Sequence, residues 1–354
     1  MSVDNGCNAN GRVGSGDDDH DETGQNSVEG GQKAQQPQAS LNKSAVRQVP
    51  CYEGTDREVF YTVIYKKREP ALLRNVPLGP CSYKWNSRYL SNSVGSKSVN
   101  ILVSSHARFD FINKNFLNRT LPFNELVKRC SGMGKHTGDH FLSEREFYQL
   151  RSPDDRREDF FKSHKGLQDD FKMPNFIPKE KLISTSLKVN SPDVVTWTQY
   201  DVMDTVLCHV HGSRRIVLFP PRDSGKLYLQ GDKSLVLDVD QPDLTKFPLF
   251  ASAQRWECEL TQPGDVLFIP ALWFHSSMCK DFGVAVSCLW RHLDRDHYDR
   301  KDPLHSKNPT AASRAMDLLA KALKQLETLP DDYRHFYYRM MVNKIHEKLP
   351  DDLT

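Results

Sequence analysis

The rhythm of hydrophobic and polar positions changes twice along this chain. From Met1 to about Arg47 large apolar residues are nearly absent, and Gly, Asn, Asp, Ser and Gln dominate. Such a stretch cannot bury enough surface to offset its ordering entropy, so residues 1–48 are expected to be a disordered tail. Its acidic cluster, Asp17 to Glu22, reads as solvated charge. From Val49 to residue 297 apolar residues come in short runs broken by Gly and Pro. Strands are expected at Glu69 to Asn75, Val99 to Val103, Phe147 to Leu150, Leu187 to Val189, Val194 to Trp197, Thr205 to Val210, Ile216 to Phe219, Leu235 to Val239, Trp256 to Leu260, Val266 to Ile269 and Val284 to Trp290. Between the first of these, Asp56 is placed to cap a helix carrying Val59, Phe60, Val63 and Ile64. Short helices are expected at Trp85 to Leu90 and after Leu121-Pro122. Ser131 to His140 and Asp154 to Lys165 read as loops. Many short strands with Gly/Pro turns indicate a sandwich or barrel, with a jelly roll the natural candidate.

Past residue 298 the period becomes helical. Asn308-Pro309 offers a cap followed by Pro at the first helical position, and Met316, Leu319, Leu323 and Leu326 then share a face. Leu329-Pro330-Asp331 breaks the chain. Tyr333, Phe336, Tyr337, Met340, Met341 and Ile345 mark a second helix. The hairpin, residues 298–354, either packs on its own barrel or pairs with a second subunit.

The barrel is organised around Trp197 to Pro221. This stretch reads as strand, turn and strand, with the turn at His211-Gly212-Ser213 and Ile216 to Phe219 as a strand buried on both faces. A carboxylate before a strand pair, Asp201, followed later by the run Asp265 to His275, is the layout of a metal site in a small β-barrel. His209 and His211 share a strand face. They are near enough to each other to hold a metal, but about 26 Å from Asp201 if one strand runs through both. Core-satisfied or exposed histidines are the plainer reading.

Composition narrows the classes. Lys and Arg number 48 against 46 Asp and Glu, a net charge of +2, which argues against a strongly basic nucleic-acid-binding domain but leaves room for a local basic patch. No apolar run spans a bilayer and no basic start precedes an apolar core, so neither a membrane segment nor a secretory signal is expected. Eight Cys without a CxxC pair suggest reduced, mostly buried thiols in the cytoplasm or nucleus.

Longer phrases carry a resemblance. They are Leu78-Gly79-Pro80-Cys81, Lys114-Asn115-Phe116, Arg119 to Phe123, Tyr200 to Asp204, Asp243-Leu244, Gly264 to His275, Asp302, and Pro309 to Ala315. From Val49 onward the chain resembles the JmjC branch of the Fe(II)/2-oxoglutarate oxygenases, and within it the hydroxylases of tRNA wybutosine synthesis. The resemblance implies a double-stranded β-helix (cupin or jelly-roll) barrel with N-terminal helices and a C-terminal helical hairpin. It also implies a 2-His-1-carboxylate iron site with 2-oxoglutarate as co-substrate and a phenylalanine tRNA modified beside its anticodon; a homodimer through the C-terminal helices is expected from the apolar faces of the hairpin.

Carried over position by position, Asp201 and His275 match metal ligands, while Gln199 stands where the family has its first His. Gln149, Thr205 and Arg214 stand at 2-oxoglutarate contacts in place of Tyr, Asn and Lys. An amide oxygen is a weaker, neutral donor, and a guanidinium fork is not interchangeable with an ammonium. The iron and 2-oxoglutarate site is therefore expected to be degraded. Two further readings stand beside the hydroxylase: an inactive pseudoenzyme kept as a tRNA-binding or dimeric interaction module, and a protein hydroxylase of the same superfamily. Candidate phosphate contacts are Lys66-Lys67-Arg68, Lys128-Arg129, Arg156-Arg157 and Arg214-Arg215, each more plainly a solvated charge pair, with Arg214 pointing into the barrel.

Overall fold

The computed structural model describes residues 46–54, 56–132, 145–151, 164–299 and 308–349. Residues 1–45 of the expected tail, the loop beyond Gly132, most of the charged loop, Arg156-Arg157 and Asp302 lie outside the described residues, whereas Arg47 and Gln48, expected in the tail, pair as a strand with Trp256 and Glu257. Fifteen strands run in chain order among those described: β1 (Arg47–Gln48), β2 (Cys51–Glu53), β3 (Ala71–Arg74), β4 (Ser98–Ser104), β5 (Leu117–Pro122), β6 (Phe147–Leu150), β7 (Leu182–Asn190), β8 (Asp204–His211), β9 (Arg214–Phe219), β10 (Leu229–Gln230), β11 (Lys233–Ser234), β12 (Trp256–Leu260), β13 (Val266–Ile269), β14 (Phe274–Cys279) and β15 (Gly283–Trp290). A nine-stranded sheet has the order β2-β3-β13-β8-β15-β7-β6-β4-β5, and a four-stranded sheet the order β1-β12-β9-β14.

Period-2 alternation explains why the sheets face each other. On β8, Val206, Cys208 and Val210 enter the core behind the large sheet, against the helix residues Leu90, Leu126 and Phe123. Leu207 points the other way and meets Ile216 and Leu218 of β9, with Trp256, Leu260 and Trp273 completing the layer between the sheets. The other face of β9, Val217 and Phe219, packs on Leu227, Phe247 and Phe250. Both strands are thus buried on both faces, as their continuous apolar runs indicate. The turn joining them needs Gly212. Its φ is +82°, and a Cβ there would lie 2.3 Å from the Phe282 carbonyl oxygen.

The structure corrects several sequence expectations. Val194 to Trp197 is not a strand. It makes only isolated bridges, at Val195 to Arg108 and to Met278. Leu235 to Val239 is not one either: Val236 and Val239 are buried by side-chain packing, and the Asp238 carboxylate accepts the backbone N–H groups of Asp240 and Gln241, both at 2.9 Å, which turns the chain. The strands here are instead the preceding short pair, β10 and β11. Strands β5 and β14 were not expected, since polar residues interrupt their apolar pattern. Asp56 does cap its helix, accepting from Val59 N at 2.8 Å. Only Phe60 and Ile64 turn inward, however, while Val59 and Val63 stay 40% and 42% exposed. Asn308 does not cap. The helix Thr310–Leu326 starts after Pro309 without a side-chain cap, and the Asn308 side chain accepts from the Tyr200 hydroxyl at 3.2 Å.

The helices Thr310–Leu326 and Asp331–His346 contain no buried residue. This removes the reading in which the hairpin packs on its own barrel. Cys51, Cys81, Cys130, Cys208, Cys258, Cys279 and Cys288 are all free thiols, and all but Cys51 are buried. Among the described residues no helix is long and apolar enough to cross a membrane.

Candidate functional site

Backbone pairing brings the first two candidates together. Gln199 and His275 form an antiparallel bridge, with Gln199 N donating to His275 O at 3.1 Å and His275 N to Gln199 O at 2.8 Å. Directly opposed residues of such a pair present their side chains on one face. His275 lies on β14, and Gln199 and Asp201 lie in the segment before β8, so that Asp201 precedes the β8–β9 strand pair. Asp201 is held by the loop that leads to His275: Leu272 N donates to its carbonyl oxygen at 2.7 Å. Leu272 takes a φ of +72° to do so, a left-handed conformation that a branched side chain adopts only under constraint.

A cavity of about 230 Å³ opens between the sheets, and Gln149, Gln199, Asp201, Thr205, Arg214 and His275 all line it. The remaining lining includes Lys188, Asn190, Trp197, Ser277 and Ser287, which sequence reasoning missed. A signal for several of them was present. Trp197 with Gln199, Arg214 with Ile216, His275 with Ser277, and Ser287 with Leu289 are each two residues apart, and alternate residues of an extended segment share a face. Lys188 and Asn190 repeat the pattern on β7, but nothing in sequence pairs that strand with β6 and β15.

Arg214 dominates the inner end. It is only 4% exposed. Its Nη2 donates to Asn190 Oδ1 at 3.1 Å and its Nη1 to Ser277 Oγ at 3.3 Å, and Nε has no partner among the described residues. No described carboxylate pairs with it. A buried cation without a counter-charge is costly, so the cavity suits an anion, and a guanidinium fork suits a carboxylate in particular. The donor set therefore fits one carboxylate end of 2-oxoglutarate.

The iron donors fit less well. Burial lowers the pKa of His275, partly offset by the Trp273 carbonyl, and keeps the ring neutral. Its Nδ1 lies 3.4 Å from Trp273 O. Asp201 Oδ1 accepts from Met203 N at 3.2 Å. At Gln199, Trp197 Nε1 lies 2.7 Å from Oε1. An indole N–H only donates, so the atom facing it must be the amide oxygen. That oxygen is the side chain's one metal-binding atom, and the NH₂ beside it can only donate. Two good donors and an engaged amide do not make the three-ligand face that an iron oxygenase site requires. No described cluster of three His, Cys, Asp or Glu could hold a metal. His209 is bonded through Nε2, 2.7 Å from Gly212 O, while its buried Nδ1 has no partner among the described residues, and His211 packs against Phe282.

Behind the site sits Asp204, which is fully buried. It accepts from the Tyr65 hydroxyl at 2.7 Å, from Arg68 Nη2 at 2.5 Å and from Ala271 N at 2.9 Å. Burial would raise its pKa, but bonds from His292, Arg68 and Tyr65 outweigh that and pull it down to about 2. It ties the first helical run to the loop carrying Leu272. On the outer side of that loop Lys67, Arg68, Arg222 and His292 line an open groove with Ala271, Leu272 and Trp273. Of the other basic candidates, Arg129 pairs with Glu125, and Arg215 with Asp240 and Glu257.

Comparison with known proteins agrees with this architecture. A cupin-like domain model matches residues 56–296. The chain is 48% identical over 305 residues to tRNA wybutosine-synthesizing protein 5 of Gallus gallus, covering 85% of this chain and 95% of that protein. It is 48% identical over 304 residues to the Homo sapiens protein of the same name, covering 85% and 96%. It is 31% identical over 319 residues to tRNA wybutosine-synthesizing protein 4 of Gibberella zeae, where it spans 88% of this chain but 30% of that one. With two facing sheets, a pocket between them and near-half identity along almost the whole of such relatives, this chain belongs to the cupin-like family of JmjC type, on the branch that holds tRNA wybutosine-synthesizing protein 5.

Proposed function

We propose that this chain recognises the phenylalanine tRNA of wybutosine synthesis and presents the base beside the anticodon to the cavity between the sheets, as a binding protein with an incomplete iron site. The observation that carries the metal-poor part is the hydrogen bond from Trp197 Nε1 to Gln199 Oε1 at 2.7 Å. The tRNA part is supported by the relatives' names and extents and by the groove that Lys67 and Arg222 line beside Arg68 and His292, since the cations of Lys67 and Arg222 suit a phosphate backbone. Its wall, Ala271 to Trp273, leads into His275.

Arg214, Asn190 and Ser277 would hold 2-oxoglutarate by a carboxylate, with Gln149 and Thr205 as further hydrogen-bonding groups in the lining. In the JmjC oxygenases that co-substrate supplies two of the electrons for oxygen reduction. Here no oxidative step is routed through iron. What the residues of this chain do is orient an anion at Arg214, keep His275 neutral, and shield both from water between two apolar sheets.

A second reading, an Fe(II)/2-oxoglutarate wybutosine hydroxylase that uses Gln199 as its third ligand beside Asp201 and His275, is favoured by the identity to the relatives. Succinate formation from 2-oxoglutarate, with Fe(II) and hypomodified phenylalanine tRNA, separates the two. We expect the native chain to bind that tRNA in preference to other tRNAs and to form no succinate. Turnover by the native chain would establish the second reading, and absence of tRNA binding would end the first.

The chain divides, in this reading, into a tail that ends before Arg47, a barrel from there to residue 297 and the helical hairpin 298–354, and works in the cytoplasm or nucleus. Homodimerisation through the hairpin is supported by its uncovered apolar residues, among them Met316 at 62%, Phe336 at 59% and Ile345 at 49% exposure.

A further inference from the structure

The geometry points to a changed role for position 199: Gln199 is a positioning residue that holds the Trp197 indole, and its one metal-capable atom, the side-chain oxygen, is engaged in that bond. The inference deepens the metal-poor reading of this pocket and is independent of tRNA recognition.

Both ends of Gln199 are fixed. Its backbone pairs with His275 on one side and with Lys233 on the other. Its side-chain oxygen accepts the Trp197 indole N–H. Trp197 is itself braced. Its ring lies 5.8 Å from Phe116 at 30° and 5.7 Å from Phe111 at 66°, and Phe116 stacks on the buried Phe109 at 5.7 Å. Lys233 Nζ stands 5.9 Å from the Trp197 centroid and 5.7 Å from that of Phe111.

The indole bond occupies one of the two lone pairs of that oxygen, and any rotation of the amide away from Trp197 would leave the indole N–H with no other acceptor among its described contacts. Leaving such a donor unpaired in a partly buried place is unfavourable. The gain would be one neutral, weak ligand. The same backbone position thus serves as a brace for an aromatic wall of the pocket, and the wall lines the cavity through Trp197.

Two readouts on the full chain test this. The chain has five Trp, so five indole N–H resonances are expected in a ¹H–¹⁵N spectrum, and the one lost in Trp197→Phe is that of Trp197. In Gln199→Leu, where the acceptor is gone, this resonance moves upfield. In Gln199→Glu, where a charged oxygen of the same reach accepts, it moves downfield; this near-isosteric variant answers the question even if the Leu variant does not fold. An indole resonance that neither change moves overturns the inference. The second readout is titration with Mn(II), a redox-stable stand-in for Fe(II). Gln199→His is expected to bind one ion about 100-fold or more tightly than the native chain, because even a lost hydrogen bond behind a ligand costs about 10–100-fold. Native affinity within about tenfold of the His variant overturns the inference. Failure of tRNA to bind, with both readouts as expected, removes the proposed tRNA recognition and leaves the role of Gln199 standing.

Discussion

At the scale of single residues, the site depends on side chains that sequence named for other reasons. Asp204 entered only as the last letter of the phrase Tyr200 to Asp204. In the structure it is a buried carboxylate bonded by Arg68, Tyr65 and the Ala271 N–H. Its pKa of about 2 lies below the ordinary value, so its contribution is full above that ordinary value and is lost as pH falls toward 2. Asp204→Asn removes the charge and leaves Arg68 without its partner. A loss of about 3 kcal/mol, at the lower end of the range for breaking a buried pair, is expected as a lower urea midpoint with an unchanged slope. A midpoint equal to the native one would mean that Arg68 and Tyr65 are satisfied without Asp204. That position 199 departs from a ligand His was legible from the family resemblance. Its hydrogen bond to Trp197 was not, because the bond depends on which way one amide turns within a folded pocket.

Elements were legible where apolar residues recur at strand spacing between turn signals. β6, β12 and β13 have the bounds their apolar runs indicate. β14, which carries His275, has the sequence Phe274-His275-Ser276-Ser277-Met278-Cys279 and shows no such run. It is a strand because β9 pairs with it along its whole length. The β8–β9 hairpin holds a second consequence. His209 is fully buried on β8 with Nε2 bonded to the Gly212 carbonyl. Burial lowers its pKa to about 4; the Gly212 carbonyl and Asp265 oppose the shift, and Arg214 and His211 add to it. Between the ordinary 6.5 and about 4 the unfolded chain therefore binds more protons than the folded one, and stability falls as pH falls through that window. The full effect is at most about 3 kcal/mol. Urea unfolding at pH 7.5 and pH 4.5 should show a smaller drop for His209→Gln than for the native chain. Equal drops would place the pH sensitivity elsewhere.

At the scale of the whole molecule, the hairpin is the feature that the barrel does not explain. Its helices contain no buried residue, while Phe336 and Met340 are 59% and 44% exposed. Contiguous apolar surface of this kind marks interaction sites. If the hairpin pairs with its copy, light scattering of the native chain gives a dimer mass. Phe336→Glu combined with Met340→Glu gives a monomer whose barrel unfolds at the same urea concentration. A monomeric native chain at tens of micromolar would sink this.

What the sequence determined by itself was the local and the periodic. Most short apolar runs between Gly and Pro indicated strands, the change to period 3.6 indicated helices, and the phrase from Gly264 to His275 helped carry the family resemblance. The tertiary structure decided what depends on residues distant along the chain. It set Gln199 opposite His275, placed Asn190 and Ser277 around Arg214, and left the hairpin off the barrel. Those outcomes arise from strand order and register, and from the need of each buried polar group for a partner. A linear pattern of hydrophobic and polar positions does not contain them, because the partner is chosen by the closed pair of sheets.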